Sequence, residues 1–387
     1  MLKIAMIAGE ASGDKLGAAM IDGFDALLDQ PADFIGVGGP LMIERGMDSL
    51  FDMSELSVMG IVEILKQYGH LKRRLNQCAD YILAQKPDVL ITIDAPEFSL
   101  RLAEIIKSKS DIPTVHYVAP TVWAWRPKRA EKMAKYIDHV LALFPFEPPY
   151  MHEAEMSCDF VGHPVTHEPL ASDQDIADFR SYYDLGDTPV ALVLPGSRRS
   201  EVKRLLPVFR KAMVQTCQSH RDLQWVLPTT AHVAGLVHEM TARWEQKPIV
   251  IDPRDIDADF ARRMKRAAFR TADIALAASG TVSLELAANS TPMVIAYNMG
   301  WLSRQIIGRM LLTDTVTLVN LVSGDRSVPE FIGQNCRPHY IADALSKVLQ
   351  KSADQDIAMD KTMQALGRDG IDPGQRAAKS VLDFLGP

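Results

Sequence analysis

The chain has 387 residues, 47% of them hydrophobic and 24% charged, which is enough apolar material for more than one core at roughly 150 residues per domain and excludes a disordered chain or a single small module. Its 42 basic and 49 acidic side chains leave a formal charge of -7, which argues against a protein held mainly by nucleic-acid phosphates. Cys78, Cys158, Cys217 and Cys336 lie far apart with no C-x-x-C pair, so neither a disulfide framework nor a structural zinc site is expected, and a reducing compartment fits. No uncharged apolar run reaches 18 residues, so no membrane span is expected. The N-terminal apolar run, interrupted by Glu10 and Asp14, reads as a first strand rather than a leader.

In chain order, short apolar runs alternate with longer amphipathic stretches: Lys3–Ala8, Phe34–Val37, Val89–Ile93, Thr114–Val118, Val140–Leu143 and Phe160–Val161. Strands apolar on both faces and separated by helical segments predict a parallel sheet covered on both sides, the doubly wound α/β class. A polar segment, Ala171–Asp175, breaks the rhythm. A second set follows at Val190–Leu194, Trp225–Leu227, Ile249–Ile251, Ile274–Ala277 and Val294–Tyr297. The expected division is an N-terminal domain over 1–168, a C-terminal domain over 188–350, and a tail over 351–387 made of a polar segment and a short helix near Gln375–Leu385. Two such halves are expected to face a central cleft, with ligands beyond the carboxyl ends of the strands.

Several segments carry the chemistry. The first strand runs into Gly9-Glu10-Ala11-Ser12-Gly13-Asp14, a glycine-rich turn opening a helix, which suits an anion or a sugar but is equally a plain βα turn. The spacing and the Asp after Gly13 rule out a phosphate-loop NTPase motif. Asp94 ends the third run before Ala95-Pro96, a place for a general base or for a simple helix cap. Trp123-Ala124-Trp125-Arg126-Pro127-Lys128-Arg129 joins two indoles to a basic helix, suiting a membrane interface or a core Trp beside a solvated face. Val58-Met59-Gly60 opens a similar mixture. Leu194-Pro195-Gly196-Ser197-Arg198-Arg199 is a strand, a glycine turn and a helix start with two guanidinium groups, which is suited to a diphosphate. Ala278-Ser279-Gly280-Thr281 repeats the device, with Glu285 one turn on; the carboxylate fits a ribose diol, and the pattern also fits a capping box. No histidine spacing suggests a metal.

Together these segments, with Gly162-His163-Pro164 and Asn320-Leu321, resemble the lipid-A-disaccharide synthase family of inverting glycosyltransferases, and they do so in order along essentially the whole chain. The resemblance implies a GT-B architecture of two Rossmann-like domains. It implies transfer of 2,3-diacylglucosamine from UDP-2,3-diacylglucosamine to the 6-hydroxyl of 2,3-diacylglucosamine 1-phosphate (lipid X), without metal or cofactor. By carry-over, Asp94 is the base. Ser197 and Arg198 hold the diphosphate, Ser279, Gly280 and Thr281 line the nucleotide site, Glu285 takes the ribose hydroxyls, and Asn320 helps close the donor pocket. The loop of Glu10, Ser12 and Gly13, with Met59, faces the reacting sugars. Because both substrates carry acyl chains, Trp123, Trp125, Arg126, Lys128 and Arg129 are expected to contact acyl chains or membrane, with the protein cytoplasmic and peripheral on the inner membrane. Ala119, Ser99 and Val319 stand where the family commonly has Ser, Asn and Pro.

Two other readings keep the nucleotide site and change the function. One is a 2-epimerase of UDP-N-acetylglucosamine, or a transferase with a soluble acceptor, which would not need the Trp-basic segment. The other is a non-catalytic nucleotide-sugar sensor, which would not need Asp94. The apolar segment Val381–Leu385 is expected to dock on another domain or on a second subunit, a homodimer being the expected assembly.

Overall fold

The computed structural model describes residues 1–56, 61–122, 128–298 and 314–386, with side chains at 61–68 and 128 left aside. The chain forms two compact units, Met1–His167 with Leu366–Pro387, and Glu168–Ala365.

The first unit runs β1 (Lys3–Ala8), α1 (Ala11–Leu27), β2 (Asp33–Val37), α2 (Pro40–Glu44), β3 (Asp48–Ser49), α3 (Ile61–Gln85), β4 (Val89–Ile93), α4 (Pro96–Lys107), β5 (Thr114–Tyr117), α5 (Lys128–Met133), β6 (His139–Ala142), α6 (Pro148–His152) and β7 (Ser157–Phe160). Its strands pair in parallel in the order β3-β2-β1-β4-β5-β6-β7. The central strands β4 and β5 are buried along their whole length, as strands covered by helices on both faces must be. The edge strand β7 is different: Cys158 is buried while Ser157 and Asp159 are exposed. That alternation is why an apolar-run criterion places it late, at Phe160–Val161.

The second unit runs α7 (Asp173–Tyr182), β8 (Val190–Leu194), α8 (Arg199–Ser219), β9 (Gln224–Pro228), α9 (Ala231–Thr241), β10 (Ile249–Ile251), α10 (Ala258–Thr271), β11 (Ile274–Ala277), α11 (Val282–Ala288), β12 (Met293–Tyr297), α12 (Leu318–Ser323), β13 (Glu330–Ile332), α13 (Pro338–Gln350) and α14 (Ala353–Ala365). Its parallel sheet has the order β10-β9-β8-β11-β12-β13. The core is built from Val193, Leu206, Phe209, Trp225, Leu276 and their neighbours. The polar segment before β8 is the start of α7, with Ser172 and Asp175 capping it reciprocally. The sequence reading passes over β3 and β13 because both are short edge strands without an apolar run.

The tail divides. α14 belongs to the second unit, and its buried face includes Gln355 and Thr362, which is why it reads as polar and structureless. Gln355 behaves there as an extra strand partner, accepting from Met293 N at 2.8 Å and donating to Met293 O at 3.0 Å. The last helix, α15 (Pro373–Leu385), returns to the first unit and packs on α1. Gly23 and Gly374 meet at that crossing, where a Cβ on either would strike backbone of the other helix. Val381 is fully buried, and Phe384 stacks on His139 with 4.9 Å between ring centres. The apolar C-terminal segment is therefore engaged within its own chain.

In each sheet the strand order reverses once, between β1 and β4 in the first and between β8 and β11 in the second. At such a point the connections leave on opposite faces and open a crevice at the carboxyl ends of the two strands.

Candidate functional site

In the first unit, β1 and β4 end side by side, with Ala8 opposite Ile93. The Gly9 turn leaves one strand and Asp94 the other. Glu10 occupies the N-cap position of α1 without a side-chain cap bond. Ser12 is exposed, and Gly13 is buried against Ala8 and Ile93. Asp14 is turned inward instead: it is 3% exposed and accepts from Gly39 N, Leu41 N and Met42 N at 3.0–3.1 Å. It thus satisfies the first turn of α2.

Asp94 is not a helix cap. Ala95 holds the N-cap position of α4, with no side-chain cap bond. Asp94 and Ala95 have φ of 48° and 44°, and Val118, at the end of the neighbouring β5, has φ of 83°. Left-handed conformations cost energy at residues with a Cβ and persist only where surroundings enforce them. Here Asp94 N donates to Tyr117 O at 3.0 Å, and the buried Ser99 hydroxyl donates to Asp94 O at 2.7 Å. Burial pushes the Asp94 carboxyl above the usual carboxylate range, and a bond from the Ala95 N–H partly offsets this. A carboxylate that is half-desolvated and held in one place can accept a proton from an alcohol.

In the second unit, Ala278 N bonds Leu194 O at 2.8 Å, so the turns after β8 and β11 lie next to each other. Gly196 has φ of 104°, and a Cβ there would collide with the Glu201 carboxylate, so only glycine fits. Arg198 heads α8 with its side chain 66% exposed and 3.6 Å from Glu201, while Ser197 is exposed beside it. Tyr297, at the end of β12, faces the same Glu201, and burial together with that carboxylate pushes its phenol above the ordinary value. An exposed guanidinium at a helix start, where the helix dipole favours negative charge, suits a diphosphate.

After β11, Ser279 and Gly280 are half-buried and Thr281 is exposed. Thr281 makes no cap bond, so the capping-box reading of this turn is not realised. Glu285 bonds Lys265 Nζ of α10 at 2.7 Å. Asn320 is 1% exposed and is used internally: its amide donates to Val328 O at 2.9 Å and Glu330 at 3.3 Å, and accepts from Val328 N at 3.0 Å.

Arg129 lies 3.7 Å from Glu97 of α4, so it is paired within the first unit. On α5, Lys132 is exposed and Met133 buried. Met59, Trp123, Trp125 and Arg126 lie outside the described residues, as does the Lys128 side chain. Among the described residues no cluster of His, Cys, Asp and Glu could hold a metal, and no helix is long and apolar enough to cross a membrane. The four cysteines are buried with no disulfide between them, and burial pushes the Cys78 and Cys158 thiols up to about 12.

Sequence reasoning misses Glu201, Lys265 and Glu330, and meets Ser99 only as a departure from the family pattern. Glu201 has a local signal, three residues after Arg198 at a helix start. Lys265 and Glu330 act on partners that the fold brings near, whereas Ser99 bonds Asp94 O five residues back.

Comparison with known proteins shows the family and the fold. The lipid-A-disaccharide synthetase family profile matches residues 4–381. The lipid-A-disaccharide synthase of Ruegeria pomeroyi is 56% identical over 385 residues, covering 100% of this chain and 96% of that protein. That of Rhodospirillum centenum is 40% identical over 389 residues, covering 99% and 95%. Among solved structures, the UDP-GlcNAc 2-epimerase of Neisseria meningitidis, bound to UDP-GlcNAc, aligns with a TM-score of 0.65 at 11% identity, covering 99% of each chain. The S. aureus MnaA–UDP structure aligns at 0.63 and 13% identity, covering 97% of this chain and 94% of that one. The likeness is one of fold, the GT-B arrangement of two parallel α/β units.

Proposed function

The chain belongs to the lipid-A-disaccharide synthase family, and on that premise we propose which of its residues carry the reaction. The activity is transfer of 2,3-diacylglucosamine from its UDP conjugate to the 6-hydroxyl of lipid X, giving the β-1,6 disaccharide and UDP. Asp94 takes the hydroxyl proton as O6 attacks the anomeric carbon. The bond from that carbon to the diphosphate breaks, the configuration inverts, and UDP leaves with the electron pair. Arg198 and the Ser197 turn stabilise the charge that builds on the diphosphate. Ser279, Gly280 and Thr281 line the nucleotide site, Glu285 takes the ribose hydroxyls, and Lys265 holds Glu285. Glu10, Ser12 and Gly13, with Met59, border the sugars. Asn320 acts indirectly, through Val328 and Glu330.

The observation that carries this reading is the position of the two motif pairs. Gly9 with Asp94, and Arg198 with Ser279, each stand where the strand order of their own sheet reverses. In the test, purified protein with a little detergent receives UDP-2,3-diacylglucosamine and lipid X, with UDP release and disaccharide mass followed together. Wild type should form disaccharide, and Asp94→Asn should bind UDP-sugar but not turn it over. Equal turnover by the variant would remove Asp94 from the role of base.

Peripheral attachment to the cytoplasmic face of the inner membrane is the second part of the proposal. It is supported by the acylated substrates and by Trp123, Trp125, Arg126 and Lys128 in sequence. Arg129 is expected to contribute less than its neighbours because it is turned toward Glu97, 3.7 Å away. Wild type should co-sediment with anionic vesicles, and Trp123→Ala with Trp125→Ala should weaken this; wild type left in the supernatant would refute attachment. A homodimer belongs to the proposal as well, and a monomeric mass by light scattering at working concentration would exclude it.

A further inference from the structure

Glu330 opens the edge strand β13 and belongs to none of the motifs that the sequence singles out. Its carboxylate nevertheless gathers the turn at 315–317. It accepts from the Thr315 hydroxyl, from Thr317 N at 2.7 Å, from Val316 N at 3.3 Å and from Asn320 Nδ2 at 3.3 Å. Thr315, Thr317 and Asn320 are each 2% exposed or less. One carboxylate thus satisfies several buried donors that would otherwise be costly to leave unpaired. The turn held this way presents Val316 O to the Ser279 hydroxyl, which donates to it at 2.9 Å. A serine hydroxyl has one proton. With that proton given to Val316, Ser279 offers only lone pairs to a ligand. Such an atom matches a ribose hydroxyl or a base N–H and mismatches a phosphate oxygen.

We propose that Glu330 is a positioning residue for the nucleoside half of the donor site, acting through the 315–317 turn and Val316 O to fix the Ser279 hydroxyl as an acceptor. The inference rests on the reading of Ser279 as a donor-site residue. Glu330→Gln keeps an acceptor oxygen for Thr315 and Thr317, whereas Glu330→Ala removes it.

The experiment measures UDP affinity by calorimetry, with inorganic pyrophosphate as a second probe, for Glu330→Ala, Glu330→Gln, Ser279→Ala and the Glu330→Ala/Ser279→Ala pair. Glu330→Ala should weaken UDP by about tenfold, Glu330→Gln should restore most of that loss, and pyrophosphate affinity should stay at the wild-type value. The pair should be no weaker than Ser279→Ala alone. If Ser279→Ala binds UDP as wild type does, the donor-site reading of Ser279 falls and the inference falls with it. If Ser279→Ala weakens UDP but Glu330→Ala adds its full loss independently, or lowers pyrophosphate affinity equally, the inference is overturned while the donor-site reading stands. Should Glu330→Ala fail to fold, Thr315→Val removes one donor from the same carboxylate. It should then give a smaller loss of UDP affinity that vanishes in the Ser279→Ala background, and a loss that persists there overturns the inference.

Discussion

Gly9→Ala is the most informative single methyl in this protein. A Cβ at Gly9 would stand 2.9 Å from the Ala95 Cβ, whereas carbon atoms in contact settle at about 3.5–4.0 Å. The loop carrying Asp94 must therefore move by roughly 0.6–1 Å. It is not free to do so at no cost, because Asp94 N is tied to Tyr117 O, Asp94 O to Ser99, and Ala95 O to Ser99 N and Phe98 N. Overpacking of this kind costs about 1–3 kcal/mol of stability, or roughly 2–4 °C in melting temperature per kcal/mol for a unit of this size. Misplacing a reacting group by about 1 Å costs on the order of 100-fold in rate. The expected result is a fall of about 10- to 100-fold in kcat for disaccharide formation, with UDP affinity retained because UDP binding is assigned to the second unit. Ala95→Gly in the same chain deletes the colliding methyl and accepts the left-handed backbone readily, so the double variant should recover most of the lost rate. A single variant with kcat within about twofold of wild type, or a double variant no faster than the single, would refute the argument that this contact sets the position of Asp94.

Further outcomes follow from other parts of the structure. His116 is buried beside Thr92, and burial, aided by Arg129, holds its pKa at about 4. The unfolded chain takes up the proton near pH 6.5, so stability should fall by about 3 kcal/mol as pH drops from about 6.5 to 4; urea midpoints across that range should slope accordingly, and His116→Gln should flatten the slope. Because Asp94 must be ionised to act and burial raises its pKa, the acid limb of kcat should lie above the range of an ordinary carboxylate and be absent from any residual activity of Asp94→Asn. Asp14→Ala leaves three N–H groups of α2 without their acceptor and should cost about 2–4 kcal/mol in urea unfolding, with Asp14→Asn milder. Arg198→Ala should weaken UDP by roughly 10- to 100-fold in calorimetry, and Arg198→Lys should recover only part of this. Lys265→Met, which breaks a largely solvent-exposed pair, should change UDP affinity by only a few-fold, and a loss as large as that of Arg198→Ala would contradict the exposure argument.

What the amino-acid order determined by itself is what depends on near neighbours. Buried strands such as Val89–Ile93 and Val190–Leu194 declare themselves because both faces must be apolar, and the turns after them are legible because glycine and a charged residue at a strand end have few other uses. Asp94, Arg198 and Ser279 belong to this class, and their order along the chain carries the family. Features whose cause lies far away in sequence are decided by tertiary structure. α14 docks in the second unit because Gln355 finds the Met293 backbone 62 residues away, and α15 joins the first unit because its Gly374 fits against α1. Asp14 looks like part of an anion loop until Gly39 and Met42 arrive to bind it, and the partners of the Asn320 amide, Val328 and Glu330, are supplied by the fold. The physical reason is the same in each case. A polar side chain keeps whichever partner lies within about 3 Å once water is excluded, and that partner is chosen by the fold rather than by the neighbours in the chain.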